Sequence, residues 1–451
     1  MSTAIALQQQ QKDPKSGHVG NLTSDQEELL KKFWTQLFEI FRRETPSASN
    51  DVEGNSEMLN NEFTDSLHNN KKSTRISTFL RGNNSNKKPM NSEGGVSGDA
   101  EIVAKTKATQ KPTKVKKSKD DDKYNESEEL LAALELFTPQ QIRSESWRLN
   151  AADDPDLISL RFLRARKWDV NKALAMMVST LKWGLQTDVT SIVRGGESGL
   201  EQYFTEKNVT GSRVQLESGK SFCRGFDKEG RPIWYDEQNQ EVLQRFTIWV
   251  METCRLMIIA PVETACIVFD MTDFSLANDL QYVKFMIQCF EAYYPESLGI
   301  CIVHKAPWVF QGVWKIISPL LDPVVASKIR FTSNDKDLLE YIPAKNLIAS
   351  LGGEDPWEYT YVPPHEGEND RMKDEKTKQE KLRIRRELEI KFEELTQNWI
   401  ADSSNEQIKR ERDELKRRLR QAQLELDPYI RARTYYHRTG VLREDGSCIW
   451  K

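Results

Sequence analysis

The chain has 451 residues, with 65 Lys and Arg against 69 Asp and Glu, a net charge of −4. That length suggests about two to four domains, and the near balance of charge argues against a nucleic-acid partner. A mean hydropathy of −0.66 implies that a sizeable part is solvated helix or disordered chain, with the apolar residues gathered between Leu157 and Trp357.

The six cysteines, Cys223, Cys254, Cys266, Cys289, Cys301 and Cys448, are scattered without a C-x-x-C pair. They read as reduced, mostly buried thiols of a cytosolic protein, not as a disulfide framework or zinc site. The opening MSTAIALQQQ lacks a charged region followed by a long apolar core, so no signal peptide is expected. No apolar run reaches the roughly 18 residues of a membrane span; the nearest, 246–269, is broken by Glu252, Arg255 and Glu263. Any membrane contact is therefore expected to be peripheral.

Residues 1–20 are polar and without periodicity. Leu29, Leu30, Phe33, Leu37 and Phe41 then recur at helical spacing, with Thr23 or Ser24 as N-cap and Pro46 beyond the end. From Ser47 to about Asn125 the composition collapses to Asn, Ser, Lys, Gly and Asp, too little apolar surface to offset ordering entropy. Inside that insert, KTKATQKPTKVKKSK (105–119) reads as a solvated linker, or more sharply as an attractor of anionic headgroups or an import signal. KKSTRIST (71–78) has the pattern of a phosphorylation site, one common in linkers.

Order resumes at Ser127 with a helix to about Phe137 and a second from Pro139. Asp153-Asp154-Pro155 caps a third, and a fourth begins near Asn171. Arg161, Arg164 and Arg166 read first as ion-paired surface groups of this helical lobe. From Ser221 the period changes: SFCRGFD and RPIWYD are strands joined by a hairpin-like turn. Helix 246–259, strand 264–269, helix 280–294, strand 299–303, a strand at 328–332 and a helical turn at 336–341 follow. Strand–helix alternation points to an α/β fold with a mainly parallel sheet.

The stretch 304–330, HKAPWVFQGVWKIISPLLDPVVASKIR, predicts a helix opening at Pro307. Val309, Val313, Ile316 and Leu320 form one apolar row; Phe310, Trp314, Ile317 and Leu321 form a second. Two rows exceed the apolar stripe of roughly 100° that core packing needs, so the surplus must meet more core, a membrane or an apolar ligand. After Pro363-Pro364, Leu388, Phe392, Leu395 and Trp399 make one stripe and Leu415, Leu419, Ala422 and Leu426 another, ending at Asp427-Pro428. The reading preferred is an antiparallel helical hairpin packed on the body; neither stripe sustains a coiled coil. VLRE-DG-SCIW reads as a terminal hairpin.

No P-loop, H-E-x-x-H or G-x-S-x-G occurs. Asp270 and Asp273 read as turn caps, and Cys301 and His304 point to opposite faces of one strand. No catalytic set emerges.

Five segments carry a resemblance: LRFLRARKWDV (160–170), FDKEGRPIWY (226–235), VETACIVFDM (262–271), YYPESLG (293–299) and HKAPWVF…LLDPVVASKI (304–329). In order and spacing they resemble the CRAL-TRIO family, closest to its fungal phosphatidylinositol transfer proteins. IPAKNLIASLGG (342–353) continues the match, and GNLTSDQEELLKKFW (20–34) resembles the first helix of the N-terminal lobe.

The resemblance implies an α/β lipid-binding domain with a mobile gate helix, a helical N-terminal lobe and a helical C-terminal extension. The expected organisation is 1–20 disordered, 21–45 first helix of the lobe, 46–127 disordered insert, 128–195 lobe, 196–362 CRAL-TRIO domain and 363–451 extension. Gate and acyl-chain contacts fall to Val309, Phe310, Val313, Trp314, Ile317 and Leu321. Arg166 and Glu263 match headgroup positions, suited to phosphate oxygens and sugar hydroxyls. The family's headgroup lysine is replaced by Ile300, with Lys305 nearby, so phosphatidylinositol stands beside a less polar sterol- or squalene-like ligand.

The function expected is non-enzymatic carriage of a phospholipid between membranes, with no cofactor beyond the bound lipid. The alternative is a lipid-sensing regulatory protein with a protein partner at 366–451. Either way the place expected is the cytoplasm, with transient contact at internal membranes.

Overall fold

The computed structural model describes residues 16–43, 124–206, 216–219, 221–236, 243–272 and 276–450, and every structural statement below concerns these. The basic run 105–119, the motif at 71–78 and Asp273 lie outside them.

Helix α1 (Ser24–Arg42) starts where Thr23 accepts from the Gln26 N–H and the Gln26 side chain answers the Thr23 N–H, a reciprocal capping box. Leu30, Phe33, Trp34, Leu37 and Phe38 form its buried face. Helices α2 (Glu126–Leu136), α3 (Pro139–Asn150), α4 (Pro155–Ala165) and α5 (Val170–Thr187) complete a helical lobe. Thr138, Asp154 and Asp169 cap α3, α4 and α5, and proline occupies the first turn of α3 and α4. Helix α6 (Val189–Glu206), not anticipated from sequence, is kinked at Gly196, whose φ is +56°. A Cβ there would come within 2.6 Å of the Ala432 methyl, so glycine is required twice over.

The sheet has five strands in the order β1 (Ser221–Phe226), β2 (Pro232–Asp236), β3 (Ala265–Asp270), β4 (Leu298–His304) and β5 (Ile329–Thr332). β1 and β2 pair antiparallel, and the remaining neighbours pair parallel. Period-two alternation sends Cys266 and Val268 to one face, under Leu338, Ile342, Leu347 and Ile348. Ile267 goes to the other, with α7 (Leu243–Arg255) and α8 (Leu276–Gln288) over it, α8 continuing as a π-turn to Tyr293.

Between β4 and β5 stand α9 (Phe310–Ile317), a 3-10 turn (Ser318–Leu320) and α10 (Pro323–Ser327); α11 (Asp335–Leu338) follows β5. Helix α9 is thus shorter than sequence spacing predicts. Residues 307–309 form a turn, with the Phe310 N–H on the Pro307 carbonyl at 2.9 Å. At the other end Pro319 has no N–H to continue the α pattern, and the chain tightens. Helix α7 likewise ends at Arg255, earlier than the predicted residue 259.

Helices α12 (Glu375–Ala401) and α13 (Glu406–Ile430) do form the expected hairpin, with Asn405 capping α13. Leu388, Phe392, Leu395, Trp399, Leu415 and Leu419 join the core of the helical lobe. Pro428 does not stop α13 but sits inside its last turn. A short helix α14 (Tyr435–Arg438) and a turn on Asp445-Gly446 close the chain, with a single antiparallel bridge between Leu442 and Cys448. All six cysteines are free, and five of them are buried. Among the described residues no helix is long and apolar enough to cross a membrane.

Candidate functional site

Helix α9 carries its apolar surplus on two sides. Phe310, Val313, Ile317 and Leu321 are buried, packed with Met271 and Val303 and against Phe269, Val283 and Ile287. Trp308 is 85% exposed and Ile316 69%, and Val309 is also exposed, so this side faces outward without apolar cover. Trp314 lies between, its ring edge-on to Phe331 at 5.1 Å, and Phe331 extends the exposed patch onto β5. The six predicted gate residues therefore separate: Phe310, Val313, Ile317 and Leu321 inward, Trp314 at the margin, Val309 outward.

The turn into α9 is pinned. His304, fully buried at the end of β4, meets Thr332 Oγ1 through Nδ1 at 2.8 Å and Asp335 through Nε2 at 3.0 Å. Lys305, at φ +52°, pairs with the same Asp335 at 2.7 Å. That ammonium hydrogen bond holds the Asp335 carboxyl below the usual range. Lys305 is accordingly paired with Asp335 at the turn into α9, and His304 is committed to β5 and α11 rather than to Cys301.

Glu263, just before β3, sits among His18, Arg161 and Arg164. Its Oε2 is 2.6 Å from His18 Nδ1 and 3.1 Å from Arg164 Nη2, and its backbone carbonyl accepts from Arg161. Burial pushes the Glu263 carboxyl up, but the His18 hydrogen bond and the Arg164 charge outweigh it and hold it below its usual value. Arg161 and Arg164 are not the surface ion pairs that their sequence suggests; Arg161 is 7% exposed. At i and i+3 on α4 they share one face, and that face is turned to the β3 approach.

Arg166 is the C-cap of α4 and points elsewhere: its guanidinium is forked onto the Glu126 carboxylate. The two predicted headgroup residues are thus not in contact, and the arginine beside Glu263 is Arg164. His18 escaped sequence reading because the tight turn that carries it, bridged to Asn21, lies outside any periodic segment. Asp270 accepts from the Thr272 N–H at 3.0 Å, a turn cap as expected.

Inside the domain the apolar interior is continuous. Phe269, Cys301 and Val325 pack both on the α9 cluster and on the larger core beneath α7 and α8. Between α7 and the C-terminal segment lies a cavity of about 20 Å³, lined by Phe246, Trp249, Val250, Tyr359, Tyr435 and Tyr436 among others. No group of three or more His, Cys, Asp or Glu with metal-ligand geometry occurs among the described residues.

A mainly parallel sheet under apolar helices, with a helical lobe and C-terminal helices, is an α/β architecture of the kind expected of a CRAL-TRIO lipid-binding domain. Residues 126–179 match the CRAL/TRIO N-terminal domain and 216–353 the CRAL/TRIO domain. The chain is 37% identical over 439 residues to a CRAL-TRIO domain-containing protein of Schizosaccharomyces pombe, spanning 95% of this chain and 92% of that one. It is 35% identical over 446 residues to the phosphatidylinositol transfer protein CSR1 of Eremothecium gossypii, spanning 95% and 98%. A SEC14 cytosolic factor from the same organism is 31% identical over 248 residues, 49% of this chain and 76% of that one. The chain belongs to the CRAL-TRIO domain family.

Proposed function

We propose that this protein encloses a phospholipid, phosphatidylinositol, beneath α9 and exchanges it between membranes. The observation that carries the reading is the two-sided apolar character of the gate segment. Its inner side closes the interior, and its outer side, Trp308, Val309 and Ile316, has nothing apolar over it. Each CH₂ moved from bilayer to water costs about 0.8 kcal/mol, so free transfer of a two-chain lipid faces a barrier of tens of kcal/mol. Enclosure removes most of that cost and leaves gate opening as the main step. The relative named for phosphatidylinositol transfer, aligned over nearly its whole length, supports the same ligand.

On this reading Arg166 meets the phosphate and Glu263 the inositol hydroxyls, exchanging Glu126 and His18 for the headgroup. The lobe (128–195), the lipid domain (196–362) and the extension (363–451) act as one carrier, cytoplasmic and transiently peripheral at internal membranes. A protein partner at 366–451 would use the charged outer faces of α12 and α13, since their apolar stripes lie in the lobe.

Transfer of labelled phosphatidylinositol between vesicles tests the proposal. Phe310→Asp sets an unpaired charge in the closed interior and should reduce transfer to background. No transfer by the unaltered chain would defeat the carrier reading. A second reading, a sensor holding a less polar lipid, draws on one observation: Glu263, Arg166 and Lys305 are all paired internally, and Ile300 is apolar. Sterol- and squalene-loaded vesicles in the same assay separate the two.

A further inference from the structure

We propose that the C-terminal segment, residues 431–450, is the far wall of the lipid space, and that Tyr435 and Tyr436 set the length of acyl chain it admits. The inference rests on the lipid-carrier reading and adds a specificity determinant from outside the 216–353 domain match.

The placement comes from sheet order. The gate cluster packs on the β4–β5 side, with Val303 and Ile329 among its contacts. The C-terminal segment lies at the opposite edge, where the edge strand β1 donates its Cys223 N–H to Tyr436 Oη at 2.6 Å. Four inter-strand steps separate the two edges, roughly 19 Å at the usual strand spacing, comparable with an extended acyl chain. The apolar interior runs unbroken between them, since Phe269, Cys301 and Val325 belong to both clusters. At its β1 end stand Tyr435, Tyr436, Val441, Leu442 and Cys448, all buried in the same core as Trp234, Trp249 and Ile267.

Polar ties make this wall fixed. The Tyr435 N–H donates to Glu197 Oε1 at 2.8 Å, and the other Glu197 oxygen takes Arg438 and, at 3.0 Å, the Tyr361 hydroxyl. Arg438 also holds Glu368 at 3.2 Å. The Tyr435 ring stacks on Tyr359 with centroids 5.2 Å apart, and the Ala432 methyl fills the gap left by Gly196. By contrast the inner face of α9 is apolar. The cavity beside Tyr435 and Tyr436, about 20 Å³, has room for about one water. A lipid therefore enters by displacing the gate side, and its chain ends run against the tyrosines.

Two measurements test this on the full-length protein. Phosphatidylinositol bearing a diazirine at the acyl terminus is loaded from vesicles and irradiated, and the adducts are mapped by mass spectrometry. Adducts at Tyr435 and Tyr436 are expected; uptake with adducts confined to the gate residues would overturn the wall and leave the carrier reading intact. Loading from vesicles of mixed acyl length then compares the wild type with Tyr436→Ala and Tyr436→Phe. Removing the ring should shift the bound distribution toward longer chains, because the steric stop at the chain end is gone, whereas Tyr436→Phe keeps the wild-type distribution. An unchanged distribution in a folded Tyr436→Ala protein counts against the proposal, and should that variant not fold, the wild-type adducts decide. If the wild type takes up no phosphatidylinositol, the carrier reading fails and this inference falls with it.

Discussion

Asp156 shows how one side chain ties distant parts of the chain together. It accepts from Trp34 Nε1 at 2.9 Å and from the Arg412 guanidinium at 2.8 and 3.1 Å, with Lys416 at 2.7 Å. Burial pushes this carboxyl up, yet Arg412 and Lys416 outweigh it and hold it well below the usual range. Asp156→Asn leaves the buried Arg412 without its carboxylate, while Lys416 keeps Asp154 at 3.3 Å, and should cost about 3–5 kcal/mol, read as a lower urea midpoint. His437 provides a pH test. Burial, then Arg433, Arg431 and Arg438, push its pKa down to about 3, and the neutral ring accepts from the Thr434 N–H at 3.1 Å. Unfolded histidine titrates near 6.5, so the unfolded chain binds the extra proton as pH falls. The contribution of His437 is therefore complete above about pH 6.5 and is lost below it at about 1.4 kcal/mol per pH unit. Denaturation midpoints in that window should fall less steeply for His437→Gln; equal slopes would remove the assignment.

At the scale of elements, α9 was legible as an apolar surplus but not as a division of labour. Two rows of large apolar residues announced that the helix serves more than a core. The buried side cuts across both rows, taking Val313 from one and Phe310, Ile317 and Leu321 from the other, and it was decided by β4, α8 and Phe331, none of which its own periodicity encodes. The exposed side separates membrane contact from stability. Trp308→Ser with Ile316→Ser should reduce vesicle binding tenfold or more, at roughly 1.5–3 kcal/mol per large apolar side chain. Thermal stability should stay within about 0.5 kcal/mol of wild type, because neither side chain is buried. A co-sedimentation assay beside a thermal melt reads both, and unchanged vesicle binding would assign the patch another purpose.

For the whole molecule, the C-terminal extension is a strap on both parts of the described fold. Its hairpin completes the core of the helical lobe, and its last twenty residues complete the core of the lipid domain. Deleting 366–451 strips Phe392, Trp399, Leu415, Tyr435 and Tyr436 from those cores. The expected outcome is a chain that aggregates or lacks a cooperative circular-dichroism melt. Loss of transfer in such a truncation would therefore report on folding before it reported on any partner. A truncated chain with a wild-type melt would show the strap to be dispensable.

The residues alone determined the class of fold, the helical hairpin and the apolar surplus of the segment between β4 and β5. Those follow from local causes: period-two and helical patterning, proline and Asp or Thr caps, and motifs that lie contiguous in the chain. Only the tertiary structure decided the site's wiring. Glu263 meets His18 from 245 positions away, and Cys223 meets Tyr436 from 213 positions away. Contacts of that range depend on which surfaces the packed elements bring together, and no local periodicity carries that information. The same holds for Arg164 and Arg166, two residues apart, where the C-cap turn at the end of α4 sends one to Glu263 and the other to Glu126.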